Sequence, residues 1–282
     1  MSTGATPVDE GIAESLGSAV CEASPVGGGC IHHARRLELA DGRRVFVKSG
    51  AGQAAAMLEA EARGLELLAP HIRVPQLLAK GEMGGVHWLA MEWLDLRPLD
   101  AWTWENFGRA LDGLHRVTRP MCGLEQDNFI GGTPQENGPL RSWCEFFIER
   151  RLKPQLRLAR KHHLPEREIV AAAERLLADH HPVPSLLHGD LWSGNAAALP
   201  DGAGVVFDPA PYFGDAETDI AMLQLFSGAL PAAFYRGYQW LSGTPDRRRR
   251  RLYDLYHALN HLNLFGTSYL SMVRRCLDEM GS

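Results

Sequence analysis

The chain has 282 residues, of which 45% are hydrophobic and 22% are charged, and its formal net charge is −5. This composition is typical of a globular protein, and the length approaches the limit for one hydrophobic core, so we expect two lobes. The negative charge disfavours nucleic acid as a main partner. The five scattered cysteines argue against a disulfide framework. The N-terminus lacks a signal-peptide pattern, and no apolar run is long enough to span a membrane. We therefore expect a cytoplasmic protein that binds neither membrane nor nucleic acid.

A glycine-rich loop and a strand lysine stand out near the N-terminus. A short helix is predicted over residues 8–20, and the glycines Gly27, Gly28 and Gly29 follow it. An extended segment then turns at Asp41-Gly42, a hairpin signal, and returns as a strand that ends at Lys48. Backbone N–H groups of glycines can approach phosphates closely. A glycine-rich loop alone is more often a turn, but a lysine placed here can reach the α- and β-phosphates of a nucleotide.

The next predicted helix, residues 54–68, supplies a partner for that lysine. Leu58, Glu61 and Leu65 lie on one stripe, so Glu61 is on the inward, apolar face. A buried carboxylate is unfavourable unless it is paired. We therefore predict an ion pair between Glu61 and Lys48.

The middle of the chain predicts a change of architecture. Strands are predicted at 77–80 and 86–91, and the pattern then ends in Glu92, Trp93 and Leu94 before a proline. We interpret residues 93–98 as a hinge, with the backbone of 92–94 available to adenine; a plain linker is the alternative. The remainder predicts helices, over 104–118, 140–160 and 165–180 among others. A polar loop over 126–135, which includes Asp127 and Asn128, has the character of a recognition loop.

The strongest signal is a set of three polar residues with kinase-like spacing. Asp190 precedes Asn195 by five residues in the sequence H-G-D-x-x-x-x-N, and Asp208 follows in D-P-A. The kinase catalytic loop has the form H-R-D-x-x-x-x-N and is followed by D-F-G. By this comparison Asp190 would accept the proton of the acceptor hydroxyl, and Asn195 and Asp208 would bind Mg²⁺. The alternative is a solvated loop followed by an unrelated acidic turn.

Other residues could support this loop or bind the acceptor. His188 opens the motif, and Asp219 begins a later helix, where it could accept hydrogen bonds from the loop amides or compensate the helix dipole. The last helices interleave leucines with tyrosines, amides and the histidines His257 and His261. Such a face could line a sugar pocket or be an ordinary polar surface. The histidine pairs show no zinc-ligand spacing, so the only metal implied is Mg²⁺.

With these motifs the chain resembles the fructosamine kinase (ketosamine 3-kinase) family, a branch of the aminoglycoside phosphotransferase-like kinases. The resemblance rests on segments spread over nearly the whole chain: 27–31, 45–48, 128–131, 188–195, 207–210 and 256–266. Residues 191–194 of the catalytic loop separate this family from its relatives. One departure is His32, where the family usually has asparagine.

The resemblance implies an α+β, bilobal protein-kinase-like fold. An antiparallel sheet lobe (1–92) and a hinge (93–98) would precede a mainly helical lobe (99–282). It also implies ATP-dependent phosphorylation of the 3-hydroxyl of a fructosamine or ribulosamine, free or protein-bound, in deglycation. Trp192, beside the base, would stack on the sugar or belong to the lobe core. The chain would act as a monomer or homodimer.

Three questions stay open at this stage. The thiol of Cys30, among flexible glycines near Lys48, could be a redox site or an ordinary loop residue. The acceptor could instead be an aminoglycoside or an amino alcohol. A pseudokinase that only binds nucleotide is a third reading, disfavoured because the lysine, glutamate, base and metal ligands are all present.

Overall fold

A five-stranded antiparallel sheet forms the N-terminal part of the protein. The computed structural model describes residues 6–27, 33–240 and 246–281. The strand order is β1-β2-β3-β5-β4. The strands are β1 Val20–Pro25, β2 His33–Leu39, β3 Arg44–Gly50, β4 Leu77–Met83 and β5 Val86–Glu92. The predicted turn at Asp41-Gly42 joins β2 to β3, and Gly84-Gly85 joins β4 to β5.

Two helices accompany the sheet. Helix α1, Pro7–Leu16, is shorter than predicted because Gly17 ends it in the left-handed conformation (φ 67°) and Val20 already begins β1. Its Ile12 is fully buried with apolar side chains of the sheet such as Val45. Helix α2, Gln53–Leu68, agrees with the predicted helix to within one residue.

The C-terminal part is mainly helical. Its helices are α3 Thr103–His115, α4 Trp143–Phe147, α5 Lys153–Leu158, α6 Glu166–Leu177, α7 Glu217–Ser227, α8 Ala232–Gly237, α9 Arg247–Phe265 and α10 Leu270–Gly281. Three two-stranded sheets join them: β6 Asn128–Ile130 with β7 Thr133–Gln135, β8 Ser185–Leu187 with β11 Tyr212–Gly214, and β9 Ala196–Ala198 with β10 Gly204–Val206. A sheet lobe followed by a helical lobe is the predicted fold. The loop predicted at 126–135 is the β6–β7 hairpin.

The helix predicted over 140–160 is present from Trp143 to Leu158, with a later start and an irregular centre. Leu140 instead pairs with Cys122 through two backbone hydrogen bonds, and the helix begins only at Trp143. A π-helical segment, Ile148–Leu152, separates α4 from α5. Pro154 lacks the N–H that would bond to the Arg150 carbonyl. The side chain of Arg151 donates to that carbonyl instead, at 2.9 Å.

Helix α9 is buried on nearly all sides, so its polar residues are not an outer face. Tyr256 donates to Gln135 at 2.7 Å, and Asn260 accepts from Gln155 at 3.0 Å. The interpretation of these residues as a polar surface is therefore wrong, because Tyr256 and Asn260 pair with polar groups inside the core.

One hydrophobic core joins the two parts of the chain. It includes Leu65 of α2, Met91 of β5, Phe107 of α3 and Ile220 of α7. This packing places one face of the sheet, with α2, against the segment that carries the catalytic motif. No helix in the described ranges combines the length and apolar character needed to cross a bilayer.

Candidate active site

Lys48 lies between two carboxylates in the cleft. Its Nζ is 2.7 Å from Glu61 Oε1, which is the predicted ion pair, and it also bonds to Asp208. Burial alone would lower the pKa of Lys48, but the charges of Glu61 and Asp208 raise it, so the ammonium stays protonated. The contact with Lys48 also lowers the pKa of Asp208. Burial acts to raise this pKa, and Lys48 more than offsets that effect.

The close approach of α2 to the Asp208 segment makes this cluster possible. A Cβ added at Gly64 would lie 3.1 Å from Pro209 and 3.2 Å from Pro211. Glycine therefore lets the helix pack directly on residues 209–211 and brings Glu61, one turn earlier, towards Asp208. Asp208 itself adopts a left-handed conformation (φ 57°), a strained state that is concentrated at functional sites in proteins.

Asp219 holds the catalytic loop through its backbone. Its Oδ2 accepts from the His188 amide at 2.7 Å, and its Oδ1 accepts from the Gly189 amide at 2.9 Å. Burial acts to raise the pKa of Asp219, but the hydrogen bonds from His115 and the loop lower it below its usual range. Asp219 therefore does more than compensate a helix dipole.

His115 was missed by the sequence analysis. Its Nε2 is 3.1 Å from Asp219 Oδ2, and its Nδ1 is 2.7 Å from the hydroxyl of Tyr238. The ring is fully buried. The sequence carries no signal for this contact because the partners are 104 residues apart.

His188 ties the loop to the Asp208 segment. Its Nδ1 accepts from the Asp190 amide at 3.3 Å, and its Nε2 lies 3.0 Å from the Phe207 carbonyl. Burial lowers the pKa of His188, which keeps the ring neutral, as the bond from an amide to Nδ1 requires. The Ala210 amide also donates to the His188 carbonyl at 2.9 Å. These bonds therefore hold the loop against the segment after β10.

Gly189 replaces the arginine of the protein-kinase motif for a steric reason. It has a φ of 83°, and a Cβ there would lie 2.0 Å from the Ala210 carbonyl oxygen. Any side chain at this position would therefore push the loop away from residues 208–210.

Asp190 and Asn195 are in contact across the catalytic loop. Asn195 Nδ2 donates to the Asp190 carbonyl at 2.9 Å and approaches its Oδ2 at 3.4 Å. Burial raises the pKa of Asp190 to about 7, with further contributions from the negative charges of Asp208 and Asp219. A carboxyl with a pKa near neutrality is suited to proton transfer.

The predicted hinge presents free backbone donors, and the amide of Leu94 is among them. The Glu92 amide donates to the Gln76 carbonyl at 3.0 Å, whereas the Leu94 amide has no acceptor among the described residues. The Glu92 side chain is paired with Arg73 at 2.5 Å. The Trp93 ring packs on Phe46 at 6.4 Å, and Phe46 shares the face of β3 that carries Lys48.

The residues predicted to bind the acceptor differ in their accessibility. Trp192 is 38% exposed, which excludes the lobe-core alternative, and His261 is partly buried. Asp127 is exposed, although its carboxylate accepts from the Asn137 amide at 2.7 Å. Asn128 and His257 are 7% and 1% exposed. These two side chains are not available at the surface, so the expectation that they line an open pocket is wrong.

The side chain of Asn128 instead makes hydrogen bonds inside the protein. Its Nδ2 donates to the Pro211 carbonyl at 2.8 Å, and its Oδ1 accepts from Gln135 at 2.8 Å. The β6–β7 hairpin is thereby attached to the Asp208 segment. Of the predicted phosphate loop, Gly27 is described and exposed, whereas Gly28, Gly29 and Cys30 lie outside the described residues, as does His32. The other four cysteines are free thiols.

One further cluster could suggest a metal. In the described ranges, one group of His, Cys, Asp or Glu residues brings three possible metal-ligand atoms within 4.8 Å of one another. It consists of His180, Asp215 and Glu217. Those atoms already have partners: Asp215 Oδ2 accepts from Tyr253 and lies 2.6 Å from His180 Nε2. Glu217 accepts from Arg249 at 2.8 Å. The guanidinium would also repel a cation, so we interpret the cluster as a buried polar network at the start of α7.

Comparison with known proteins identifies the family. A model of the fructosamine kinase family matches residues 6–281. The chain belongs to the fructosamine kinase family. A probable ketoamine kinase of Synechocystis sp. is 43% identical over 267 residues, which cover 92% of this chain and 90% of that protein. The activity of this family is that of a kinase.

Solved structures agree with this assignment. A Haemophilus somnus 129PT protein assigned as a fructosamine-3-kinase is 28% identical, with a TM-score of 0.87 and coverage of 97% of this chain and 96% of that one. A thermostable aminoglycoside phosphotransferase mutant, in complex with ADP and hygromycin B, has a TM-score of 0.59 at 16% identity, covering 98% of this chain and 95% of that one. At that identity the likeness establishes the fold alone, which is protein-kinase-like.

Proposed function

We propose that this member of the fructosamine kinase family transfers the γ-phosphoryl group of ATP to the 3-hydroxyl of a ketosamine, that is, a fructosamine or ribulosamine on lysine or on a small amine. The observation that carries this proposal is the position of Asp190. Its carboxyl group lies two residues from the exposed ring of Trp192 and is held by a loop that Asp219 and His188 fix to the Asp208 segment.

Nucleotide binding would use the cleft between the sheet and the catalytic loop. Lys48, oriented by Glu61, would contact the α- and β-phosphates. The free amide of Leu94 and the backbone of Glu92 and Trp93 would hold the adenine, with residues 93–98 as the hinge between lobes. The glycines 27–29 would lie over the phosphates.

Asn195 and Asp208 are suited to hold Mg²⁺. Asn195 uses its NH₂ group on the Asp190 carbonyl, and its Oδ1 accepts no hydrogen bond from a described residue. The Asp208 side chain is 48% exposed. After burial, the negative charges of Asp208 and Asp219 contribute to the raised pKa of Asp190, and such a group of carboxylates favours a cation with oxygen ligands. When bound, the ion would neutralise charge on the transferring phosphoryl group.

In the proposed reaction the ketosamine stacks on Trp192 with its 3-hydroxyl at Asp190. Asp190 orients the hydroxyl and accepts its proton as the oxygen bonds to the γ-phosphorus, while the bond from that phosphorus to the bridging oxygen breaks and ADP leaves. Lys48 stabilises the negative charge of the phosphates. A phosphate at carbon 3 lies next to the carbonyl carbon, so it can leave once carbon 1 has lost a proton. Water then hydrolyses the imine that forms and frees the amine, so we propose a role in deglycation.

The proposal is tested by ADP formation with a panel of acceptors. Purified protein with Mg-ATP is given fructoselysine, ribuloselysine or an aminoglycoside. We expect ADP release with a ketosamine, and a decrease of about 10²- to 10⁴-fold in Asp190→Ala, with ATP affinity retained. Turnover of the aminoglycoside alone would overturn the substrate class. Nucleotide binding without turnover of any acceptor would support a pseudokinase instead.

A further inference from the structure

Four aromatic rings continue from Trp192 away from Asp190. Trp192 contacts Phe226 at 6.2 Å between ring centroids, and Phe226 contacts His261 at 4.7 Å. His261 then contacts Tyr269 at 5.1 Å and Phe265 at 5.5 Å. We call Phe226, His261, Phe265 and Tyr269 the aromatic strip. It is contributed by α7, α9 and the turn after α9.

The strip is accessible rather than part of the core. Phe265 is 49% exposed, and the other three rings are partly buried. Because Trp192 is itself 38% exposed, the strip extends the surface beside the base. An aromatic surface that continues an active site can bind the part of a substrate that lies beyond the reacting group.

Within the described part of the chain, no lysine or arginine makes a cation–π contact with these rings. In the described ranges the cation–π contacts are made by Arg36, Arg116, Arg119 and Arg151, on rings outside the strip. His261 Nδ1 lies 2.9 Å from the His257 carbonyl, so it carries the proton, and Nε2 is an acceptor without a partner among the described residues. Burial lowers the pKa of His261, which keeps the ring neutral. The strip therefore offers π faces and one acceptor to a ligand cation.

The proposed substrate carries a cation close to its reacting hydroxyl. In a ketosamine, four bonds of about 1.5 Å separate the 3-hydroxyl oxygen from the amine nitrogen, so the two lie within roughly 5 Å when the chain is extended. The amine is a secondary ammonium at neutral pH. If the sugar stacks on Trp192, the ammonium and its substituent lie beside the neighbouring ring of Phe226, which contacts His261.

We propose that the aromatic strip binds the amine side of the substrate: the ammonium by cation–π contact with Phe226 and a hydrogen bond to His261 Nε2, and the attached carbon chain along Phe265 and Tyr269. The strip thereby selects charged ketosamines over uncharged sugars. This inference rests on the proposed function and adds residues that determine its specificity.

The test compares two acceptors that differ only in the group that carries the charge and the N–H donors. One is a ketosamine with a benzylamine substituent, and the other is the ether in which oxygen replaces the nitrogen. In the wild-type protein we expect KM for the amine to be about 2- to 30-fold lower than for the ether, with similar kcat, which is the range of one cation–π contact. Phe226→Leu and the surface variant Phe265→Leu keep apolar volume but remove a ring, and should reduce this ratio.

Tyr235→Leu is the matched control, since Tyr235 is an exposed aromatic residue (38%) that lies on α8, outside the strip. This variant should keep the wild-type ratio of the two KM values. Equal KM values for amine and ether in the wild-type protein would overturn the inference and leave the proposed function intact. A ratio unchanged in both Phe226→Leu and Phe265→Leu would also overturn it. Absence of turnover with every ketosamine would remove the proposed function, and the inference with it.

Discussion

Replacing Asp219 by asparagine tests how the fold positions the base. The carboxylate accepts three hydrogen bonds, from the amides of His188 and Gly189 and from the ring of His115. Asparagine offers one oxygen in place of two, and its NH₂ group must point at a group that is itself a donor. At least one buried N–H therefore loses its acceptor.

The size of the effect follows from these contacts. A buried donor left without a partner costs about 1–3 kcal/mol, and hydrogen bonds to a charged acceptor contribute about 1.5–3 kcal/mol each. We expect Asp219→Asn to lower the free energy of unfolding by about 2–4 kcal/mol. Freed from Asp219, the loop should also misplace Asp190, and a displacement of about 1 Å can cost roughly 10²-fold in rate.

Urea unfolding and steady-state kinetics measure both effects. We expect kcat to fall by about 10-fold or more, while KM for ATP changes by less than about 3-fold. Asp112→Asn is the control, because Asp112 also accepts from a backbone amide, that of Gln239, but outside the catalytic loop. It should lose stability without losing kcat. A folded Asp219→Asn protein with wild-type kcat would refute the positioning role.

Three further predictions concern other parts of the site. His257 has a pKa lowered to about 3 by burial, against an ordinary value of 6.5, so the wild-type protein should lose about 2 kcal/mol of stability from this group between pH 8 and pH 5. His257→Leu should remove that pH dependence in urea unfolding, and an unchanged pH slope would contradict the assignment. Gly189→Ala should lower both Tm and kcat because its Cβ would meet the Ala210 carbonyl, whereas Gly113→Ala, with open space around it, should lower neither. Lys48→Met should weaken ATP binding by about 10- to 100-fold in calorimetry, the range of a charge-assisted hydrogen bond; an unchanged Kd would show that Lys48 does not contact the nucleotide.

Local patterns predicted the sheet, α2 and the Lys48–Glu61 pair. Each depends on periodicity or on a turn signal that lies within a few residues, such as Asp41-Gly42 between β2 and β3. The spacing of Asp190, Asn195 and Asp208 was equally local. Contacts between distant residues left no such pattern, and the support of Asp219 by His115 and Tyr238 is the clearest case.

Helix α9 shows why composition misled. Its tyrosines, amides and histidines predict a polar face. The residue type alone, however, does not tell whether a polar side chain contacts solvent or another polar group in the core. Tyr253, for example, donates to Asp215 at 2.7 Å inside the core. In contrast, the aromatic strip needed the structure because Phe226 and Phe265 lie on different helices.

The central claim is that Asp190 directs a phosphoryl group to the 3-hydroxyl of a ketosamine. The most direct measurement is ³¹P NMR of the protein with Mg-ATP and fructoselysine or ribuloselysine, with proton–phosphorus correlation to locate the ester. A new signal coupled to the proton on carbon 3, absent in Asp190→Ala, is the predicted result. A phosphate ester at another carbon, or the same signal in Asp190→Ala, would contradict the account.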